Sequence, residues 1–138
     1  MYKKLIVLML LTSMLFLPSF SEAKDIPPGR WWRLPYFYEP LNLTDQQKSE
    51  LDNLFDYNRN RLAELKKQLE QEKRDLTTMV EQEKLNEAAV LGTMKKLENT
   101  RTLLAATRFS YSLEVRKLLG HDRFQQLKSL YRNWQRNR

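Results

Sequence analysis

The amino-acid sequence predicts an all-α protein, a long antiparallel helical hairpin with short N-terminal and C-terminal helices. Three observations carry that prediction. No proline or glycine falls between Leu41 and Leu91. Apolar residues recur at steps of three, four and seven, the period of one helix face. No segment alternates apolar and polar residues in the way a half-buried strand does.

The chain opens with Lys3 and Lys4, followed by an apolar run from Leu5 to Leu17 broken only by Thr12 and Ser13. Ser21-Glu22-Ala23 then supplies small residues at the two positions a signal peptidase reads. This is the layout of a secretory signal peptide, with cleavage expected after Ala23 and a periplasmic destination. The apolar run is shorter than the ~20 residues a spanning helix needs, so stable membrane insertion is not expected. With no cysteine, the chain offers no disulfide, no thiolate metal site and no N-terminal cysteine for lipid attachment.

Cleavage would leave residues 24–138, enough for one domain. It would take off Lys3, Lys4 and Glu22, lowering the formal charge of +7 by one. A basic protein outside the cytoplasm has little nucleic acid to meet. Acidic protein segments or an anionic membrane surface are its natural counterparts.

Residues 24–42 are rich in proline and aromatics, including Trp31, Trp32, Pro35, Tyr36, Phe37 and Tyr38. Proline lacks the amide donor a helix interior needs, so this segment can hold only a short helix, around Arg30 to Tyr38. Its aromatics are expected to pack as a lid on the helices that follow. The domain proper, 43–138, then begins. Thr44 and Gln47 have the capping-box spacing at the head of the first long helix, with Asp45 in its first turn. Leu51, Leu54, Phe55, Leu62, Leu65, Leu69, Leu76, Met79 and Val80 mark its buried stripe. The hairpin should turn between Glu81 and Asn86, with Asn86 capping the second helix. That helix carries Val90, Met94, Leu97, Leu104, Tyr111, Val115 and Leu118, with Arg101 and Arg108 interrupting the stripe. Gly120 should end it. A last helix from about Asp122 sets Phe124, Leu127, Leu130, Tyr131 and Trp134 against a basic side of Arg123, Lys128, Arg132, Arg136 and Arg138.

Two helices of about 38 residues, each about 57 Å long, leave apolar surface that one hairpin cannot cover. A third helix, a second subunit or both are needed, and a homodimer is expected.

The segment Leu43-Thr44-Asp45-Gln46-Gln47 carries the pattern Leu-Thr-x-x-Gln at the head of a long helix. In this it resembles the periplasmic CpxP/Spy family, which includes heavy-metal sensor and zinc-resistance relatives. Gly29-Arg30-Trp31-Trp32 is similar to an opening seen in such proteins. Val115-Arg116-Lys117-Leu118-Leu119 looks like the end of the family's third helix, and the resemblance covers most of residues 29–134. Where the family repeats its motif, this chain reads Leu119-Gly120-His121-Asp122-Arg123, so a second capping box is lost. The resemblance implies a cradle-shaped dimer that binds unfolded envelope proteins, or the periplasmic domain of a sensor kinase, without ATP or any cofactor. Arg101, Arg108, Arg116, Arg123 and Arg132 are the charged candidates for such binding, with Phe109 and Tyr111 for apolar contact.

The alternative is a heavy-metal-binding sensor or resistance protein. Its ligands would be histidine, cysteine, methionine or clustered carboxylates. The chain has one histidine, His121, a weak candidate beside Asp122, and Met79 and Met94 lie at core spacing. Catalysis has less support still. The carboxylates lie beside lysines on helix surfaces, and three glycines are too few for a phosphate-binding loop. No enzymatic activity is expected.

Overall fold

The computed structural model describes residues 26–138. The signal-peptide assignment of residues 1–23 and its cleavage site lie outside them. All regular structure among the described residues is helical: a 3₁₀ turn Trp31–Arg33, then α1 Pro35–Tyr38, α2 Asp45–Val80, α3 Glu87–Leu119 and α4 His121–Arg136. None of these helices is long and apolar enough to cross a membrane. The long pair, α2 and α3, forms the antiparallel hairpin, and the short helices gather at its open end.

Local chemistry explains the boundaries. Pro35 sits at the first position of α1, where its missing amide costs nothing. Asn42 adopts a left-handed φ of 48°, which its short polar side chain tolerates, and the chain reverses there. At the head of α2 both halves of the capping box form. The Gln47 amide donates to Thr44 Oγ1 at 3.1 Å, and the Thr44 amide donates to Gln47 Oε1 at 3.2 Å. The turn occupies 81–86, and Asn86 accepts from the Ala89 amide at 3.1 Å to start α3. Gly120, at φ 78° and ψ 173°, is the single residue between α3 and α4.

The core sits at the open end of the hairpin. Trp31, Trp32, Phe37, Leu41, Leu51, Val115, Leu119, Leu127 and Tyr131 are buried together there. Their rings link every element: Trp32 meets Phe55 of α2 at 5.8 Å between centroids, Phe55 meets Tyr111 of α3 at 6.4 Å, and Phe37 meets Trp134 of α4 at 6.3 Å. The proline-rich segment is therefore a lid whose aromatics are the core.

Towards the closed end the seam thins. Leu65, Leu97 and Leu104 are buried, but Glu72, Thr93 and Thr100 occupy positions beside them. Two residues of the expected stripes lie outside the seam, with Val80 57% and Met94 39% exposed. A 3.6-residue helix drifts about 20° per seven-residue step, and Thr93 and Thr100 rather than Met94 come to face α2.

Candidate functional site

Most surface helices divide into an apolar and a polar side, as α2 and α4 do. In α3 the division fails. Its inward side buries Leu97, Leu104, Val115 and Leu119, yet Leu91, Leu103, Phe109 and Leu113 stand 45–66% exposed on the remainder. Between Glu98 and Glu114 its only charges are Arg101 and Arg108. At 100° per residue, Leu91, Arg101, Arg108, Phe109, Leu113 and Arg116 share a sector of about 140°, with Leu91, Phe109 and Leu113 turned away from α2 and Arg101 and Arg108 at its edge beside the buried side. Apolar side chains are left uncovered here, with cations beside them.

The sequence candidates divide over this geometry. Arg108 and Phe109 are adjacent and exposed on α3, Phe109 on its outer side and Arg108 at the edge. Arg101 is exposed at the same edge, its Nη1 donating to Glu98 Oε1 at 2.6 Å, while Arg116 is half-buried nearer the core. Tyr111 turns the other way, onto Phe55. Its hydroxyl is buried with no hydrogen-bond partner, and burial pushes its pKa up to about 12 against a smaller lowering by Arg30. Arg123 is drawn inward. Its Nε donates to the Leu119 carbonyl at 2.9 Å, and its Nη1 donates to Gln47 Oε1 at 3.1 Å. The altered second motif thus touches the first, with arginine bridging the capping glutamine to the end of α3. Arg132 is exposed on α4, with Nη2 donating to Ser129 Oγ at 3.2 Å.

Sequence reading missed one ionic cluster. Asp52 Oδ1 accepts from Arg30 Nη1 at 2.6 Å and from Trp32 Nε1 at 2.9 Å, while its Oδ2 accepts from Arg33 Nη2 at 2.5 Å. Arg30 reaches Asp56 as well, at 2.7 Å. Burial would raise the Asp52 carboxyl, but the hydrogen bonds from Arg33, Trp32 and Arg30 outweigh it and hold it below the usual carboxylate range. The hydrogen bonds to Asp56 and Asp52 in turn raise Arg30. The spacing of Asp52 and Asp56 by four, with two arginines bracketing Trp31 and Trp32, is the signal that could have revealed this latch.

Two open grooves flank the hairpin seam. One, of about 550 Å³, runs past Leu54, Tyr57, Glu114 and Leu118, and the other, of about 370 Å³, past Phe55, Arg59, Leu62, Lys66 and Tyr111. In the first, Glu114 is paired with Lys117 at 2.7 Å. His121 is exposed, its Nδ1 2.9 Å from Asp122 Oδ1, and among the described residues no three His, Cys, Asp or Glu side chains come together to hold a metal ion. Met79 Sδ accepts from the Thr93 hydroxyl at 3.3 Å in the seam.

In comparisons with protein-family models, curated proteins and solved structures, nothing matches this chain.

Proposed function

We propose that this protein is an ATP-independent binding protein of the bacterial periplasm, a chaperone or stress adaptor that captures unfolded envelope proteins or a sensor partner and performs no catalysis. One observation carries the reading: the outer side of α3 is apolar, with cations at its edge, where an ordinary hairpin helix would be polar. Cations attract an acidic unfolded chain over a Debye length of about 10 Å, and Leu91, Phe109 and Leu113 then offer it apolar contact. The resemblance of Leu43–Gln47 to the CpxP/Spy motif supports the same function, and the residues of 1–23 support secretion. A homodimer fits the excess of uncovered apolar surface, with part of the α3 face shared between subunits.

The test is aggregation of a chemically unfolded client with and without the purified protein, at low and high salt. Suppression should weaken as salt rises, and the double variant Arg108→Ser/Phe109→Ser should suppress several-fold less at equal helicity. Absence of suppression at both salt concentrations would rule out the chaperone form of the reading. Failure to retain any envelope protein in a pull-down as well would rule out the adaptor form.

A further inference from the structure

Cations are also concentrated on α4, at the open end of the hairpin, in a different setting. Residues 121–138 hold Arg123, Lys128, Arg132, Arg136 and Arg138 against the one acidic side chain of Asp122, whereas α2 interleaves seven cations with eight carboxylates. Steps of four place Lys128, Arg132 and Arg136 along one side of α4, about 6 Å apart along the axis. Arg138 lies off this row, its guanidinium 4.1 Å above the Trp134 ring. The exposed residues between these cations are Gln125, Ser129 and Asn133, all polar. The apolar side of α4 is already committed, with Leu127 and Tyr131 buried and Phe124, Leu130 and Trp134 packed against the core.

We propose that the outer side of α4 docks on an anionic lipid surface, with Arg132, Arg136 and Lys128 set against headgroup phosphates. Arginine's planar fork matches phosphate oxygens in pairs, and a row of cations without carboxylates between them gains from every phosphate within reach. This occupant is favoured over a polypeptide because the face has nothing apolar with which to hold a side chain, in contrast to the α3 face. Because the apolar side of α4 is buried in the core, the helix cannot enter the hydrocarbon without unfolding the open end of the hairpin. Docking is therefore electrostatic and confined to headgroup depth. It is independent of the partner-binding reading and would hold the α3 face at a membrane.

The experiment is co-sedimentation of the purified protein with vesicles of phosphatidylcholine alone and with phosphatidylglycerol added. Binding is expected only to the anionic vesicles and should disappear at high salt. Each cation removed from the row should weaken it about fivefold. The double variant Arg132→Gln/Arg136→Gln spares the contact with Trp134 and should lose about twenty-five-fold with an unchanged helical spectrum. The control Arg101→Gln/Arg108→Gln removes the same charge from α3 and should stay within about twofold of the parent. Equal losses in the two double variants would overturn the proposal in favour of diffuse net charge. Binding of polyglutamate but not of anionic vesicles would overturn it in favour of an acidic polypeptide.

Discussion

Asp52 gathers three donors from a segment about twenty residues earlier in the chain, tying Arg30, Trp32 and Arg33 to α2 beside the second contact of Arg30 with Asp56. Asparagine in its place keeps one oxygen for the buried indole, but it turns an amide donor toward Arg33 and removes the charge that both guanidinium groups share. Asp52→Asn should therefore cost about 2 kcal/mol, the lower part of the range for charged hydrogen bonds because the pairs are partly exposed. The pH dependence has a definite sign. The folded carboxyl is held below its unfolded value near 3.9, so its contribution is complete above that value and is lost as pH falls through the lower folded one. The gap in melting temperature between wild type and Asp52→Asn should be constant from about pH 7 to pH 5 and close below about pH 4. A gap that persists into acid would place the stabilisation elsewhere. Gly120 poses a purely local problem. An added Cβ meets nothing within 4 Å, yet φ 78° with ψ 173° is a region reserved almost entirely for glycine. Gly120→Ala should cost about 1–3 kcal/mol in denaturant unfolding, with no steric clash to blame. Features such as Thr44, Gln47, Asn86 and Gly120 were legible in the sequence because capping and left-handed turns are decided within four residues. The partners of Asp52 and Arg123 were not, since they depend on how α1 and α4 fold back over the open end.

The helices themselves begin and end where the sequence placed them, but their faces do not all point as expected. In α2 and α4 a polar side defines the buried side by contrast. In α3, leucines and alanines surround the helix, and a repeat of seven cannot say which leucines face inward. That ambiguity hid both the outward Met94 and the threonines of the seam. On α2, Glu72 occupies an inward position opposite α3. Its Oε1 accepts from Gln68 Nε2 at 2.8 Å and from the Thr100 hydroxyl at 3.1 Å, while its Oε2 is buried without any partner. A buried acceptor left unpaired costs about 1–3 kcal/mol. Methionine has a similar length and no such need, and Thr100 retains the Lys96 carbonyl as acceptor at 3.2 Å. Glu72→Met should therefore stabilise the hairpin and raise its melting temperature by about 4–8 °C for each kcal/mol gained. A lowered melting temperature would mean that the polar cluster holds the register of the two helices, and that slippage costs more than the orphaned oxygen.

Across the whole molecule, dense packing is confined to one end, while exposed apolar side chains occur along the full length of the hairpin. The aromatic lid, α4 and the adjoining ends of α2 and α3 share one dense core, while the remaining length of the hairpin is held by three buried leucines interspersed with polar side chains. The tip exposes Val80, Leu85 and Leu91. Each helix of the hairpin is about 50 Å long, so the tip lies far from the core that stabilises the rest. Amide exchange should follow this gradient. Residues of α2 near Leu51 and of α3 near Val115 should open only with global unfolding, whereas 76–94 should exchange through local fraying at a small fraction of that free energy. Uniform protection along the hairpin would show that the distal seam is stronger than its packing implies. The same measurement bears on function, because a partner that covers the outer side of α3 adds the layer the distal hairpin lacks. Protection around Phe109 and Leu91 should then rise on binding a client, while amides at the core, already limited by global unfolding, should gain only as much as overall stability does.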